Sequence, residues 1–443
     1  MSFGISNLVF LFAMIFSFYL FSKNISKILA TINLGKPVNR LDNPLKRLGL
    51  MLKVAFGQSK MTAKPIAAIL HLAVYVGFVL INIEVLEIIL DGIFGTHRVI
   101  APLVGESYNV FISFFEFLAL SVLVACIFMW FRRNYLKLKR FDSKDLAGWS
   151  EKDANYILYL EISFMAALIT MNGADSVLQL RGVEHYPNVG GFLISGFLAA
   201  PWLDFFSTSA LIFIERTLWW FHILGIFFFL NYLYYSKHLH VLLAFPNTFL
   251  SKLQNSGEFN NVKEVTNEVK LMMDPNADPF AATIGEPTEP TVFGAKDIKD
   301  LNRVQLLNAF TCTECGRCTA ECPANITGKL LSPRKIMMST RDRMEDIIKN
   351  TTLNKGVFVD DGKTLHDYIS AEELWACTSC NACTQACPIN IDPLSIIMDM
   401  RRYLVMENSA APMSLNGMMT NIENNGAPWP FGAQDRIKWA DEI

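Results

Sequence analysis

The chain has 443 residues, with 39 Lys or Arg against 41 Asp or Glu and a net charge of −2. This balance argues against a nucleic-acid partner, because such an interface needs basic residues clustered on one soluble face. Hydrophobic residues make up 52% of the chain, which predicts that part of it lies in lipid.

Five apolar segments predict a transmembrane helix bundle, since each is near the ~20 residues that cross ~30 Å of hydrocarbon. They cover about 4–22, 66–90, 108–131, 154–172 and 210–235. No small-residue cleavage site follows the first segment, so we expect it to remain as an anchor. A sixth apolar stretch, 191–206, contains Pro201 and is too short to cross, which indicates an interfacial or re-entrant helix.

The basic loops between these segments predict their orientation. Residues 23–64 carry nine Lys or Arg against one acid, and residues 132–153 carry seven against four. The loops 91–107 and 173–209 have one Arg each. Basic loops stay on the cytoplasmic side, so we expect the N-terminus outside and the C-terminal half in the cytoplasm. The predicted location is the inner (cytoplasmic) membrane, crossed several times.

The apolar pattern ends near residue 245 and divides the chain into three predicted parts. Residues 1–245 form the membrane domain, 246–298 a linker and 299–443 a soluble domain. Asp274–Pro290 has the Pro, Asp, Glu and Gly content of a surface linker. Helices are expected at about 333–349 and 393–407, each with a capping residue followed by Pro at the first turn. No alternating strand pattern is present, so the predicted fold class is all-α.

Eight of the nine cysteines form two copies of one motif, C-x-x-C-x-x-C-x-x-x-C-P. The first copy contains Cys312, Cys315, Cys318 and Cys322, and the second contains Cys377, Cys380, Cys383 and Cys387. Cys126 stands alone in an apolar run, where a small core residue is expected. This spacing is typical of proteins with two 4Fe-4S clusters, in which the fourth cysteine ligates the other cluster.

The motif therefore predicts two crossed ligand sets. One cluster is assigned to Cys312, Cys315, Cys318 and Cys387, and the other to Cys377, Cys380, Cys383 and Cys322. Zinc is the alternative, but a third thiolate so close in sequence crowds a tetrahedral site built from paired C-x-x-C units. The long interval between the motifs has a helical pattern, which indicates an α-helical ferredoxin domain.

Four histidines lie in or beside the predicted spans: His71, His222, His238 and His240. His222 and His240 are 18 residues apart, five turns or roughly 27 Å along one face of a continuous helix. His238 would then point about 160° away from that face. His71 enters its span at the depth where His240 leaves the fifth, so a haem b between these two is predicted.

Residues 61–245 resemble the cytochrome b (gamma) subunit of respiratory nitrate reductase and the related membrane subunit of heterodisulfide reductase. The resemblance is carried by Ala68–His71 and by the run Arg216–His240, especially Phe221-His222 and Ser236–His240. It implies that the last helix supplies two haem ligands, matching His222 and His240. The family's second helix supplies two more; His71 matches one, but Ile81 occupies the other position.

The resemblance therefore implies one haem b and leaves an outer haem in doubt. His97 is a candidate partner for His222, and His185 is a weaker one. Four acids lie within the spans: Glu84, Glu87, Glu116 and Glu161. Acids are costly in lipid and face the bundle interior, where they are candidates for relaying protons to a quinone. Structural pairing with each other or with Arg98, Arg216 and backbone donors is the alternative.

The C-terminal domain resembles the ferredoxin-like part of heterodisulfide-reductase-type proteins, and its tail Asn421–Gly426 to Ala440 fits that group. The whole chain looks like that membrane iron-sulfur group, which includes electron-transfer-flavoprotein:menaquinone oxidoreductases. The resemblance implies an electron-transfer subunit that links a cytoplasmic donor, two clusters and haem b to a membrane quinone, menaquinone being favoured. It also implies a partner, either electron-transfer flavoprotein or a cysteine-rich subunit, since no Cys follows Cys387. The alternative is a membrane-anchored ferredoxin scaffold without haem that serves another redox enzyme.

Overall fold

The computed structural model describes residues 4–255, 257–276 and 292–441. Helices account for 70% of the structure, and these ranges contain no β-strand. A single isolated bridge joins the backbones of Lys36 and Asn302. The predicted all-α fold class is therefore confirmed.

The N-terminal half contains five helices that are long and apolar enough to cross a membrane, namely α1, α3, α5, α6 and α9. The helices of this half are α1 (Ile5–Ile32), α2 (Pro44–Met51), α3 (Pro65–Phe94), α4 (Ala101–Val104), α5 (Tyr108–Asn134), α6 (Trp149–Leu180), α7 (Leu193–Leu198), α8 (Ala200–Leu203), α9 (Thr208–Tyr232) and α10 (His240–Phe249). A π-helical segment, Leu52–Phe56, continues α2.

All five predicted spans are confirmed as helices, and most of their ends extend beyond the predicted apolar windows, whereas α9 ends at Tyr232, three residues before its predicted end. The largest extensions are in α1, which ends at Ile32, and in α6, which runs from Trp149 to Leu180. The polar residues at these ends remain helical because the helix continues to provide hydrogen bonds for their backbone N–H and C=O groups. The stretch 191–206 forms the short helices α7 and α8, and no sixth span forms there.

Small residues allow the membrane helices to pack closely. Gly92 in α3 lies beneath the ring of Phe10 in α1, where a Cβ atom would come within 2.7 Å of the ring. A Cβ at Gly225 in α9 would lie 2.4 Å from the ring of Phe164 in α6. Phe10 is fully buried. Close backbone approach of this kind is a common source of helix association in lipid. Lipid tails are as apolar as the helix surfaces, so the hydrophobic effect does not drive the helices together.

The C-terminal half is a compact helical domain with its own apolar core. Its helices are α11 (Lys263–Met273), α12 (Arg303–Thr311), α13 (Arg317–Ala320), α14 (Pro323–Ile326), α15 (Pro333–Leu353), α16 (Ala371–Trp375), α17 (Ala382–Ala386), α18 (Pro393–Met406), α19 (Met413–Asn425) and α20 (Lys438–Asp441). Residues in the core with no exposed surface include Leu306, Ile336, Met344, Leu374, Ile396 and Met400.

The two helices predicted in this domain are confirmed as α15 and α18. Ser332 caps α15 by accepting from the amide of Lys335 at 3.3 Å, and Asp392 caps α18 by accepting from Ser395 at 3.1 Å. Most of the predicted linker core, residues 277–290, lies outside the described residues.

The C-terminal domain docks on one end of the bundle through buried polar contacts. Arg334 in α15 is 1% exposed and pairs with Asp145 in the loop between α5 and α6, with Nη2 and Oδ1 2.5 Å apart. The same guanidinium donates to the carbonyl of Arg140 at 2.8 Å. Asn247 in α10 donates to the carbonyl of Ile389 at 2.8 Å. These bonds attach the domain to the loops at the ends of the membrane helices.

Asp145→Ala is expected to destabilise this docking by about 3 kcal/mol, because it leaves the Arg334 guanidinium buried without its counter-charge. Thermal unfolding of the purified protein in detergent measures the change. Asp142→Ala is the matched control, since Asp142 is an exposed acid of the same loop and should leave the unfolding temperature unchanged. Equal unfolding temperatures for the two variants would contradict the assigned role of Asp145.

Candidate functional site

The first cysteine motif surrounds a small cavity. Its lining includes Cys312, Cys315 and Cys318 from the first motif together with Cys387 and Cys383 from the second. Cys312 directly follows α12, and Cys318 lies in α13. The structure therefore brings together the four thiols that the crossed assignment places on one cluster.

The second set is assembled around Cys377. This thiol lies within electrostatic reach of Cys322 and Cys380, and Cys383 lies within reach of Cys377. Cys322, the fourth cysteine of the first motif, is thus on the side of the second motif. The ligand sets stay a prediction, and the arrangement of the thiols supports them.

The two motifs share a backbone conformation that sequence reasoning did not predict. Glu314 and Ser379, each just before the second cysteine, have φ values of 57° and 58°. Gly316 and Asn381, each just after it, have φ values of 73° and 61°. Left-handed residues at equivalent positions turn each loop around its thiols. At Gly316 a Cβ would also lie 2.7 Å from the guanidinium of Arg334.

The thiol surroundings suit iron-sulfur clusters. The amide of Ser379 donates to Cys377 Sγ at 3.4 Å, and the amide of Ile391 donates to Cys387 Sγ at 3.3 Å. Hydrogen bonds to sulfur stabilise ligating thiolates and tune cluster potentials. Within the described ranges, no three Cys, His, Asp or Glu side chains converge closely enough to hold one metal ion. Thiols spread around a cavity fit a cluster of several atoms better than a tetrahedral zinc site.

Glu314, inside the first motif, forms a buried ion-paired cluster with Lys237 and Arg341. Burial alone would raise the pKa of Glu314, but these two cations outweigh it and lower the pKa to about 2. Lys237 lies three residues before His240, and Arg341 lies in α15. The cluster therefore ties the first cysteine loop to the segment that carries His240.

His71 and His240 face each other at the same end of the bundle, with ring centres 6.4 Å apart. The Nδ1 atom of His71 donates to Gln58 Oε1 at 3.1 Å, and that of His240 donates to the carbonyl of Lys237 at 3.0 Å. Such bonds fix the tautomer and leave each Nε2 free to bind a metal.

A cavity of about 580 Å³ adjoins both histidines. Its volume is within the ~300–1,000 Å³ typical of cofactor sites. One end is basic, since its lining includes Arg132, Arg133, Arg140, Lys237 and Arg317. The Nε and Nη2 atoms of Arg133 are buried without a hydrogen-bond partner among the described residues. The residues fit a haem b, because the imidazoles of His71 and His240 would ligate its iron and the unpartnered guanidinium atoms of Arg133 would bind its carboxylate groups.

The continuous helix expected between His222 and His240 is wrong. Helix α9 ends at Tyr232, and two 3₁₀ turns separate it from α10, which begins at His240. Asp153 in α6 stabilises the break by accepting from Tyr232 Oη at 2.6 Å and from the amide of Lys237 at 3.1 Å. As a result, His238 does not point away: its ring centre lies 5.4 Å from that of His240.

His222 and His97, the candidate ligands of a second haem, have separate surroundings. His222 is 1% exposed, packs against Phe164 with ring centres 6.1 Å apart, and its Nδ1 has no hydrogen-bond partner among the described residues. His97 Nε2 bonds to Asp175 Oδ1 at 3.2 Å, and its ring lies 5.6 Å from that of His185. An outer haem between them stays a prediction without a supporting contact.

Three of the four membrane acids have polar partners. Glu87 accepts from Tyr108 Oη at 2.6 Å and from the amide of Ile100 at 2.9 Å. Glu116 accepts from the amide of Ile194 at 2.9 Å and from Ser195.

Glu84 lies 3.5 Å from Arg98, which also pairs with Asp175 at 3.0 Å. Neither carboxylate oxygen of Glu84 has a hydrogen-bond partner among the described residues, so its one polar contact is this ion pair. Glu161 differs from the other three acids because it lines the 580 Å³ cavity.

Comparison with known protein families identifies the cysteine-rich region. Residues 311–391, which contain all eight paired cysteines, match the 4Fe-4S dicluster domain. No solved structure matches the chain.

Two relatives extend the similarity over most of the chain. It is 28% identical to a probable iron-sulfur-binding oxidoreductase, FadF, of Bacillus subtilis over 98% of this chain and 61% of the relative. It is 25% identical to EtfAB:quinone oxidoreductase of Syntrophomonas wolfei over 91% of this chain and 55% of the relative. The chain thus spans about three fifths of the length of these relatives.

Iron-sulfur proteins of the kind expected from the cysteine motifs match shorter parts of the chain. A probable membrane-anchored ferredoxin of Chromohalobacter salexigens is 29% identical over 34% of this chain and 24% of the relative. Heterodisulfide reductase subunits also match part of the chain. The chain is therefore a homologue of these iron-sulfur oxidoreductases, and its five long apolar helices indicate a membrane protein.

Sequence reasoning missed several residues that position the site. Gln58, which orients His71, lies in a polar loop with no recognisable motif. Glu314 occupies a variable position of the cysteine motif, so spacing gives no signal for its ion pairs. The basic residues around Arg133, in the last turn of α5, indicate membrane topology and carry no separate sequence signal for a binding site.

Cys322→Ser is expected to remove the cluster bound by Cys377, Cys380 and Cys383, because a crossed assignment makes Cys322 its fourth ligand. Cluster iron, apart from any haem iron, should fall from about eight to about four atoms per chain, with the electron paramagnetic resonance signal of the other cluster retained. Cys126→Ser should keep the full iron content, since that thiol lies in α5. Retention of the second cluster's signal in Cys322→Ser would refute the crossed assignment.

Proposed function

We propose that this protein is an electron-transfer subunit of a membrane quinone oxidoreductase. It exchanges electrons between a cytoplasmic donor, two 4Fe-4S clusters, one haem b and a membrane quinone. The observation that carries the proposal is the 580 Å³ cavity, which is lined by His71 and His240 from the bundle and by Cys315 from the dicluster domain. Two redox sites that share one wall are close enough for direct electron exchange.

The residues of the chain have distinct tasks in this proposal. Eight thiolates hold the clusters; Cys312, Cys322 and Cys383 are buried, whereas Cys380 is exposed. His71 and His240 hold the haem, which supplies a one-electron couple when bound. Arg133 offers two unpartnered donors to carboxylate groups. Burial lowers the pKa of His240, which favours the neutral imidazole needed for ligation.

The location and domain division follow the same proposal. Residues 1–245 are the membrane domain, 246–298 the linker and 299–443 the iron-sulfur domain. Lys- and Arg-rich loops flank the end of the bundle where that domain docks, which supports a cytoplasmic iron-sulfur domain and an external N-terminus. The similarity to EtfAB:quinone oxidoreductase of Syntrophomonas wolfei supports an electron-transfer flavoprotein as donor and a quinone as acceptor. Menaquinone and a cysteine-rich partner stay secondary proposals.

A membrane-anchored ferredoxin without haem is the second candidate, favoured by similarity to a protein of that name. The facing imidazoles argue against it, because a simple anchor does not need two half-buried histidines whose Nδ1 atoms are already fixed. A pyridine-haemochrome assay on the purified protein separates the two functions.

His71→Ala and His240→Ala are each expected to abolish b-type haem absorption and to retain about eight iron atoms, because the two ligand types belong to separate domains. Optical spectra and iron analysis of the purified variants measure both quantities. His366→Gln, in the dicluster domain, is the control that keeps the haem. Unchanged haem content in both alanine variants would refute the proposed ligation.

The purified chain is expected to need a protein donor. Iron-sulfur clusters accept single electrons and bind no hydride donor, and the soluble half has no Gly-rich phosphate loop of the usual dinucleotide form. NADH and lactate should therefore leave the haem oxidised, whereas reduced electron-transfer flavoprotein should reduce it. Absorbance of the haem under anaerobic conditions follows the reaction. Rapid reduction by NADH alone would overturn the requirement for a partner.

A further inference from the structure

The 580 Å³ cavity has a second end that the proposed haem ligands do not explain. Beyond His71 the lining becomes apolar and extends between the membrane helices α3, α5 and α6. Its residues there include Val74, Tyr75, Phe78, Val79, Cys126, Met129, Ile157, Leu158 and Glu161. Two polar groups, the hydroxyl of Tyr75 and the carboxyl of Glu161, project from this apolar wall.

Neither polar group has a partner in the described structure. Tyr75 Oη is buried and has no hydrogen bond. Glu161 is 9% exposed, and no described residue donates to its carboxylate. A buried hydroxyl without a hydrogen-bond partner is unfavourable in an apolar setting, so a ligand that accepts from Tyr75 Oη would relieve that cost. Other acids of the bundle, such as Glu87 and Glu116, have their hydrogen bonds in place.

The position and lining of this end of the cavity also indicate which class of ligand it can bind. Phe78 and Val79 line the cavity in the membrane span α3 and are 37% and 44% exposed. Because this end lies among the spans α3, α5 and α6, a molecule dissolved in the bilayer is the class of ligand that matches it. The site offers apolar walls for a flat ring, one hydroxyl donor and one carboxyl. A quinone head group, with two carbonyl oxygens on a planar ring and an apolar tail, has the complementary chemistry.

We propose that Tyr75 and Glu161 form the quinone-binding site, at the end of the bundle where Cys315 lies. Tyr75 Oη donates to one carbonyl oxygen of the ring, and Glu161 exchanges protons with the ring oxygens. This inference rests on the proposed function and adds its quinone site. It places electron entry and quinone chemistry at one end of the bundle, so no electron has to cross the membrane.

The reaction balances with the donor already proposed. Reducing the quinone to the hydroquinone adds two electrons and two protons, and the two C=O π bonds become O–H bonds. The electrons come from a reduced flavoprotein donor, which is oxidised. Each proton passes to a ring oxygen through the Glu161 carboxyl, which is reprotonated after each transfer.

Binding of 2-heptyl-4-hydroxyquinoline N-oxide, a fluorescent quinone-site ligand, tests the proposal on the full chain with its cofactors. The wild type should quench the probe's fluorescence at a defined stoichiometry. Tyr75→Phe should weaken binding about tenfold, equivalent to about 1.4 kcal/mol. Tyr156→Phe, a lipid-exposed tyrosine of α6, is the matched control and should keep the wild-type affinity.

Glu161→Gln separates binding from proton exchange. It keeps a polar side chain, so probe affinity should change less than about threefold, whereas the rate of menadione reduction should fall about a hundredfold. Cofactor content is measured in each variant. Equal probe affinity in wild type and Tyr75→Phe would overturn the site, and so would a haem spectrum altered by Tyr75→Phe with unchanged probe binding.

The failure of this site and the failure of the proposed function give different results. A wild-type protein that contains haem and clusters, accepts electrons from the flavoprotein and yet binds no probe would overturn the quinone site alone. A wild-type protein without haem would overturn the proposed function. Loss of the menadione rate in Glu161→Gln, with affinity and spectra retained, supports the assignment even where Tyr75→Phe fails to fold.

Discussion

The ion-paired cluster of Glu314 with Lys237 and Arg341 is the contact on which the redox arrangement depends. Glu314 lies between two cysteines of the first motif, Lys237 precedes the proposed haem ligand His240, and Arg341 belongs to the core helix α15. One buried carboxylate thus fixes the first cysteine loop, the end of the fifth span and the domain core relative to one another. Removing a single partner from such a cluster leaves an uncompensated buried charge, which is strongly destabilising.

The same cluster explains why the cysteine loop lies at the cavity. Each of its two cations is paired with the Glu314 carboxylate, which offsets part of the cost of burying these charges beside the cavity. The docking bonds of Arg334 with Asp145 and of Asn247 with Ile389 act alongside it. The dicluster domain is therefore held by directional polar bonds at several points, which fix its orientation more tightly than an apolar surface would.

Strong periodic signals and motif spacing made the broad architecture predictable. Long apolar runs define the five spans, and the repeated cysteine spacing matches a dicluster domain. Ser332 and Asp392 gave correct helix starts because capping is a local interaction. The break in α9 was not predictable, because it depends on Asp153, a residue of another helix more than seventy positions away. Its tertiary hydrogen bonds to Tyr232 and Lys237 override the helical continuation that an apolar run suggests.

That break changes the interpretation of the histidines. In an unbroken helix, residues two apart point in nearly opposite directions, so only one of His238 and His240 would reach a given site. The extended residue Ser236, with φ −115° and ψ 145°, resets the direction of the chain, and its hydroxyl accepts from the amide of His238. His240 then begins a new helix facing His71, with His238 close by. The facing imidazole pair therefore results from tertiary contacts at a helix end. The 18-residue spacing between His222 and His240 does not determine the direction of the His240 ring, because the helix between the two residues is broken.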